Sequence, residues 1–127
     1  MTNVKRASVS LTDNFEAKLA RIEAFWDDNH FPPGYDRLLD ELTDTVIPNL
    51  ERHPRLGRPF SDRHPQTVQA QEKLQSVNTQ LAQLATNAEL REYVLTDYTA
   101  LYALVANDIY LLAIKHHKQL LFDVARV

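Results

Sequence analysis

The sequence predicts an α+β domain in which an N-terminal strand and an α-helical hairpin pack on a small antiparallel β-sheet. Two amphipathic helical patterns, joined by a Pro-Pro-Gly connector, occupy the first half of the chain. Three segments rich in Tyr, Val, Ile and Leu follow near its end. With 127 residues, 44% of them hydrophobic, the chain is long enough for one buried core. We therefore expect residues 1–127 to form a single domain.

The first elements are an opening strand and a capped helix. Residues 4–12 alternate loosely between polar and apolar side chains, which favours a strand. Thr12 and the two residues after it supply N-cap chemistry. The apolar residues that follow recur at i, i+4, i+7 and i+11, as one face of a helix requires: Phe15, Leu19, Ile22 and Trp26. The prolines and glycine of segment 29–34 must end this helix.

A second helix is predicted from about Tyr35 to Arg52. Its apolar stripe consists of Tyr35, Leu38, Leu39, Leu42, Val46 and Leu50. Pro48 lies inside this pattern, and it cannot donate the backbone hydrogen bond that the helix needs there. We therefore expect the last turn to be kinked or loosened.

The C-terminal third predicts an antiparallel meander. Its strands are "LREYVL" (90–95), "TALYALVA" (99–106) and "DIYLLAIKHH" (108–117), separated by short segments that are compatible with turns. A two-residue turn at Asn107 and Asp108 would pair Thr99 with His116 and Tyr102 with Ala113. Residues 66–88, rich in glutamine, are predicted to form an inserted amphipathic helix before the meander.

The alternation of strand side chains separates the two adjacent histidines of the last strand. On the pairing above, His116 lies on the apolar face with Leu101, Leu112 and Ile114. Lys115 and His117 then lie on the opposite face with Tyr102. A metal site is therefore not expected, since neighbouring strand residues diverge and no acidic residue stands at ligand spacing.

The charge of the chain is unevenly distributed. The formal net charge is −3, which argues against coating of nucleic acid by bulk electrostatics. Residues 13–51 carry ten acidic side chains against three basic ones, a net charge of −7. Residues 52–64 carry four arginines against one aspartate, a net charge of +3. This basic segment is either a binding patch or a solvated loop.

Several classes of protein are excluded or disfavoured by composition. The chain has no cysteine, which excludes disulfides, thiol catalysis and cysteine-ligated zinc. No apolar run approaches the ~18 residues of a membrane span, and the first residues lack the apolar core of a signal peptide. We therefore expect a cytoplasmic protein with no membrane association, no cofactor and no metal.

Three stretches resemble the RelE/ParE superfamily of type II toxins: "ERHPRLGRPF" (51–60), "LREYVLTDYTALYALV" (90–105) and "DIYLLAIKHHKQ" (108–119). They place a His-Pro-x-x-Gly-Arg connector after a helix, Leu-Arg-Glu at the start of a strand, and a histidine at the end of the last strand. The sequence departs from the family pattern at the inserted segment 66–88, because the usual link between connector and strand is short.

The resemblance implies the toxin of a toxin–antitoxin, or plasmid stabilisation, module that is neutralised by a cognate antitoxin. Proteins similar to ParE poison DNA gyrase, whereas those similar to RelE cleave mRNA on the ribosome. The low density of basic residues near the C-terminus favours a ParE-like protein that binds its target. An mRNA endoribonuclease and a non-toxic interaction protein that retains the fold stay as alternatives. For either kind of toxin, a homodimer or a toxin–antitoxin hetero-oligomer is possible.

The candidate residues follow from the matched positions. If the protein is a nuclease, the catalytic candidates are Arg91, Tyr102, Lys115 and His117, because cleavage needs a base, an acid and cations in one patch. For binding of the target or the antitoxin, the candidates are Arg55, Arg58, Arg91, Lys115, His116 and Lys118. Each has a structural alternative: Arg91 could pair with Glu92 or Asp97, Tyr102 could pack in the sheet, and His116 could be a structural histidine.

Overall fold

The computed structural model describes residues 6–60 and 88–117. The elements in chain order are β1 (Ser8–Leu11), α1 (Asp13–Asp28), α2 (Pro33–Glu41), α3 (Ile47–Arg52), β2 (Arg58–Pro59), β3 (Glu89–Val94), β4 (Tyr98–Val105) and β5 (Asp108–His116). The predicted α+β class is confirmed. The inserted helix expected at 66–88, apart from its last residue, lies outside the described residues, as does Lys118.

The strands form one five-stranded mixed sheet in the order β1-β5-β4-β3-β2. The predicted meander is confirmed, because β3, β4 and β5 pair antiparallel in sequence order. Strand β1 adds to the edge of β5 in parallel orientation, with Val9 opposite Ile109. The short strand β2, which the sequence did not predict, pairs antiparallel with β3 and brings Arg58 and Pro59 to the opposite edge.

Helix α1 begins where the sequence predicts because Thr12 has two roles. Its side-chain oxygen accepts a hydrogen bond from the backbone N–H of Phe15 at 3.3 Å, which caps the helix. The same hydroxyl donates to the carbonyl oxygen of Leu111 at 2.8 Å, which ties the helix start to β5. Phe15 is fully buried beneath this cap. Thr12 therefore both caps helix α1 and attaches the start of the helix to β5.

The second predicted helix is three consecutive helical segments, because a π-helical turn (Leu42–Val46) joins α2 to α3. Within it the backbone N–H of Ile47 donates to the carbonyl of Leu42, five residues earlier. Pro48 follows immediately, and its ring would clash with the carbonyl of Asp44 in a regular α-helix. The wider turn accommodates the proline, which confirms the expected local distortion.

The register predicted for β4 and β5 is wrong. The turn consists of Ala106 and Asn107, so that Val105 pairs with Asp108. Ala106 has a positive φ of 56°, a conformation that its sequence neighbours do not signal. The register also shifts between Leu101 and Tyr102, where β5 contains one extra residue. Together these features pair Tyr98 with His116, Thr99 with Lys115, and Tyr102 with Leu111.

The sheet has an apolar cluster on each face. The larger cluster faces the helices and unites α1, α2 and α3 with the central strands; from β4 it contains Tyr98, Ala100, Tyr102 and Leu104. The smaller cluster on the other face contains Leu101, Ala103, Leu112 and Ala113. The predicted assignment of faces is therefore corrected: Ile114 and His116 share the helix side with Tyr102, whereas Ala113 lies on the opposite face with Leu101 and Leu112.

Candidate functional site

The connector between α3 and β2 is held against the sheet by Tyr102. This side chain is fully buried. Its hydroxyl accepts a hydrogen bond from the backbone N–H of Gly57 at 3.0 Å and donates one to the carbonyl oxygen of Pro54 at 2.9 Å. Tyr102 thus satisfies two backbone groups of a segment that has little regular structure of its own.

Gly57 allows this close approach because it has no side chain. A Cβ atom at this position would lie 2.6 Å from the Tyr102 hydroxyl and 2.5 Å from the carbonyl oxygen of Glu92. Both distances are far inside van der Waals contact. A glycine is therefore required where the basic connector crosses β3 and β4.

Arg91 completes the attachment from the neighbouring strand. Its Nε donates to the carbonyl oxygen of Gly57 at 2.8 Å, and one terminal nitrogen donates to the carbonyl oxygen of Arg55 at 3.1 Å. The other terminal nitrogen forms an ion pair with Glu89 at 3.2 Å. The expected partners, Glu92 and Asp97, are not the ones observed. We refer to Arg91, Tyr102 and Gly57, with these contacts, as the connector latch.

The two outer arginines of the connector are paired with acidic residues of β3. Arg55 contacts Glu89 at 3.0 Å, and Arg58 contacts Glu92 at 3.2 Å. Both arginine side chains are about two-thirds exposed, at 67% and 64%. The hydrogen bond from Arg55 is the main reason that the pKa of Glu89 lies below its usual value. Within residues 52–60, the described part of the predicted basic segment, Glu89 and Glu92 thus offset the positive charge of Arg55 and Arg58.

Burial raises the pKa of Tyr102 above its ordinary value. The hydroxyl consequently stays protonated through the neutral range, and both its donor and one acceptor position are occupied by backbone groups. In this state Tyr102 cannot accept a proton from a substrate. Its observed arrangement is that of a structural hydroxyl.

Lys115, His116 and His117 lie at the far end of β5. The ring Nε2 of His117 lies 2.9 Å from the carbonyl oxygen of Tyr98. Since a carbonyl can only accept, this nitrogen carries the proton and donates it. The ring of His116 contacts the ring of Tyr98 edge-on, with centroids 5.3 Å apart, on the helix side of the sheet. Lys115 pairs with Thr99 and points to the opposite face.

The structure therefore divides the predicted residues into two groups. It brings Arg55, Arg58, Arg91 and Tyr102 together in and beside the connector latch, and it places Lys115, His116 and His117 at the far end of β5, with Lys115 and His116 on opposite faces. Along β4 the two groups are separated by roughly 10 Å, because Thr99 and Tyr102 are three residues apart. The expectation of one shared surface for Arg91, Tyr102, Lys115 and His117 is wrong. The functional roles themselves stay predictions.

A third feature, which sequence reasoning missed, is a groove of about 680 Å³ between helix α2 and the turn that joins β3 to β4. Its lining includes Trp26, Phe31, Arg37, Asp40, Asp97 and His116. We call it the acidic–aromatic groove. The sequence pattern predicted Trp26 on the core face of α1, and no local pattern indicated that Asp40 and Asp97, far apart in sequence, line one groove.

Among the described residues, no cluster of histidine and acidic side chains could hold a metal ion.

Comparison with known proteins identifies the family. Residues 9–121 match the family model described as "ParE toxin of type II toxin-antitoxin system, parDE". The chain belongs to the ParE toxin family. This confirms the resemblance to the RelE/ParE superfamily, and the protein is a toxin of a type II toxin–antitoxin system. No curated protein matches this chain.

A solved structure supports the fold of this ParE-family toxin. The chain is similar to a chain of the crystal structure of the toxin–antitoxin complex RelBE2 from Mycobacterium tuberculosis, with a TM-score of 0.52 and 16% sequence identity. The similarity covers 92% of this chain and 98% of the other.

Within residues 6–60 and 88–117, no helix is long and apolar enough to cross a membrane.

Proposed function

We propose that this toxin is neutralised by a cognate antitoxin and acts by binding a protein target such as DNA gyrase, rather than by hydrolysing RNA. The observation that carries the proposal is the connector latch. Arg91 and Tyr102, two of the four catalytic candidates, are occupied by backbone groups of the connector. Side chains that hold the fold in this way are not available to a substrate.

The chemical requirements of RNA cleavage favour the same proposal. A base must lie near the 2′-hydroxyl, an acid near the leaving oxygen, and cations near the developing charge of the phosphorane. Here Tyr102 is buried and protonated, and the Nε2 of His117 donates to a carbonyl. Lys115 lies on the other face of the sheet from Arg91. The described residues thus do not supply these groups in one concave patch.

The runner-up is an mRNA endoribonuclease of the RelE type. The fold likeness to the RelBE2 complex is compatible with it, and Lys115 with His117 could contribute a cation and a titratable ring at one end of the sheet. A non-toxic interaction protein is the third possibility. In each of the first two cases the partners are an antitoxin and a cytoplasmic target, and the toxin forms a homodimer or a toxin–antitoxin hetero-oligomer.

Two assays on the purified protein separate the first two functions. We expect inhibition of gyrase supercoiling and no cleavage of mRNA bound to ribosomes. The variants Lys115→Ala and His117→Ala should retain the fold, because Lys115 is only partly buried and the His117 side chain is exposed. Asp108→Ala, an exposed change at the opposite end of β5, serves as their matched control. Cleavage of mRNA that is lost in His117→Ala and kept in Asp108→Ala would establish the nuclease instead.

A further inference from the structure

The acidic–aromatic groove lies between helix α2 and the turn that joins β3 to β4, and hydrogen bonds connect these two walls. The carboxylate of Glu41, at the end of α2, accepts hydrogen bonds from the backbone N–H of Thr96 at 3.0 Å and from its hydroxyl at 3.2 Å. The turn between β3 and β4 is thereby attached to the helix. The groove is therefore a fixed concavity, since both of its walls are tied to each other.

The aromatic side of the groove is also fixed. Gly34 lies so close to the indole of Trp26 that an added Cβ would overlap the ring. The indole N–H donates to the hydroxyl of Tyr98 at 3.1 Å. Phe31 packs against Trp26 with ring centroids 5.8 Å apart and is still 41% exposed. A rigid aromatic surface that is partly open to solvent is typical of a binding site.

The groove carries an excess of negative charge. Four carboxylates line it, from Asp40, Glu41, Asp44 and Asp97, against the single guanidinium of Arg37. Glu41 is engaged with Thr96. Within the described part of the chain, the side chains of Asp40 and Asp97 take part in no hydrogen bond or ion pair, and both residues are exposed. Two carboxylates are thus available to a cation that enters the groove.

The chain itself shows which cation suits this surface. The guanidinium of Arg37 stands over the Phe31 ring, 5.7 Å from its centroid. A planar guanidinium can lie on an aromatic ring and donate to a carboxylate at the same time. Aromatic rings with nearby free carboxylates therefore favour arginine, and next to it lysine, over an apolar or acidic side chain.

We infer that the acidic–aromatic groove is the docking site for a basic segment of the cognate antitoxin, one that inserts an arginine or lysine between the aromatic wall and Asp40 and Asp97. The inference rests on the proposed function. We choose the antitoxin as the occupant because toxins of type II systems are paired with an antitoxin, and the carboxylates of the groove complement a basic segment. Helices α1 to α3 extend the negative field around it, with a net charge of −7 over residues 13–51, which accelerates the approach of a basic segment.

The test measures the affinity of the toxin for the product of the adjacent reading frame by calorimetry. The toxin variant is Asp40→Asn with Asp97→Asn, which removes two charges and leaves Glu41 in place. The matched control is Asp108→Asn, an exposed aspartate at the far end of β5. We expect the double variant to bind at least tenfold more weakly and with a weaker dependence on salt, whereas the control binds as the wild type does. Thermal unfolding of all three proteins verifies that they are folded.

The outcomes distinguish the inference from the proposed function. Tight binding that the double variant retains overturns the docking site and leaves the toxin–antitoxin pair intact. If the adjacent product does not bind wild-type toxin at all, the proposed function fails and the docking site fails with it. A charge-swap experiment adds a positive criterion: Asp40→Lys with Asp97→Lys should lose the antitoxin and regain it when one basic residue of the antitoxin is replaced by glutamate.

Discussion

Each of the two glycines in the sequence lies against an aromatic ring, and each marks one of the surfaces described above. Gly57 admits the hydroxyl of Tyr102 beneath the connector, and Gly34 admits the indole of Trp26 beside the groove. Because the chain has only two glycines, each of them indicates a place where the backbone approaches another group too closely for a side chain. This signal was present in the sequence, but the identity of the approaching ring was not.

Removal of the Tyr102 hydroxyl tests the connector latch at the scale of one residue. Tyr102→Phe leaves the N–H of Gly57 and the carbonyl of Pro54 without their buried partner. We expect the free energy of unfolding to fall by about 1–3 kcal/mol, measured by urea denaturation. Tyr110→Phe, on the other face of the sheet, is the control and should change stability by less. Equal effects of the two changes would mean that the latch does not hold the connector.

The same residue predicts a dependence of stability on alkaline pH. Because burial raises the pKa of Tyr102 in the folded state, the unfolded chain loses this proton first. The corresponding stability is complete below pH of about 10, the ordinary tyrosine pKa, and is lost as the pH rises through the folded-state pKa. The difference in unfolding free energy between wild type and Tyr102→Phe should therefore shrink above that pH. Tyr35, whose pKa burial also raises, is common to both proteins and cancels.

At the scale of elements, the sequence predicted every strand of the meander and both helical regions, because hydrophobic periodicity and turn residues are local signals. It missed the register of β4 with β5, because the turn places Ala106 at a positive φ and β5 carries an extra residue. Neither feature has a local sequence signature. At the Thr99 end of the pair, where Lys115 and not His116 is the observed partner, a shift of one residue was enough to assign His116 to the wrong face.

The turn between β4 and β5 provides the test for this element. Ala106 has a φ of 56°, a conformation that costs an L-residue about 1–2 kcal/mol. Ala106→Gly relieves this strain, and we expect a net gain of roughly 0.5–1 kcal/mol after the entropy that glycine adds to the unfolded chain. Ala106→Val should instead destabilise, because a β-branched residue resists positive φ. Thermal unfolding of the two variants measures both effects, and the opposite order would refute the turn geometry.

The candidate site was predicted only in its parts. Arg55, Arg58 and Arg91 were named as candidates for binding and Tyr102 as one for catalysis, but the partners of the three arginines, backbone carbonyls and glutamates from distant positions, were not predicted. These contacts form only when the connector packs back against β3 and β4, and the hydrophobic periodicity of the sequence does not predict that packing. The acidic–aromatic groove was missed for the same reason, because it joins Asp40 to Asp97 across the fold.

At the scale of the whole molecule, the described residues place an excess of negative charge on one surface and paired charges on another. The helical hairpin and the groove are acidic, while the arginines of the connector are largely offset by Glu89 and Glu92. Residues 6–60 and 88–117, in which the connector arginines are paired with carboxylates, are poorly suited to bind RNA by electrostatics. They are better suited to bind proteins, which agrees with the proposed mode of action and with a basic segment in the antitoxin.

The most direct measurement of the central claim is the growth of a bacterial host after induction of this chain, alone and together with the product of the adjacent reading frame. We predict that the chain alone arrests growth and that the second protein restores it. A Tyr102→Phe variant that is destabilised but still folded should arrest growth as well, because the proposed action needs no hydroxyl chemistry. Undisturbed growth after induction of the folded wild-type chain would contradict toxicity and favour a non-toxic interaction protein.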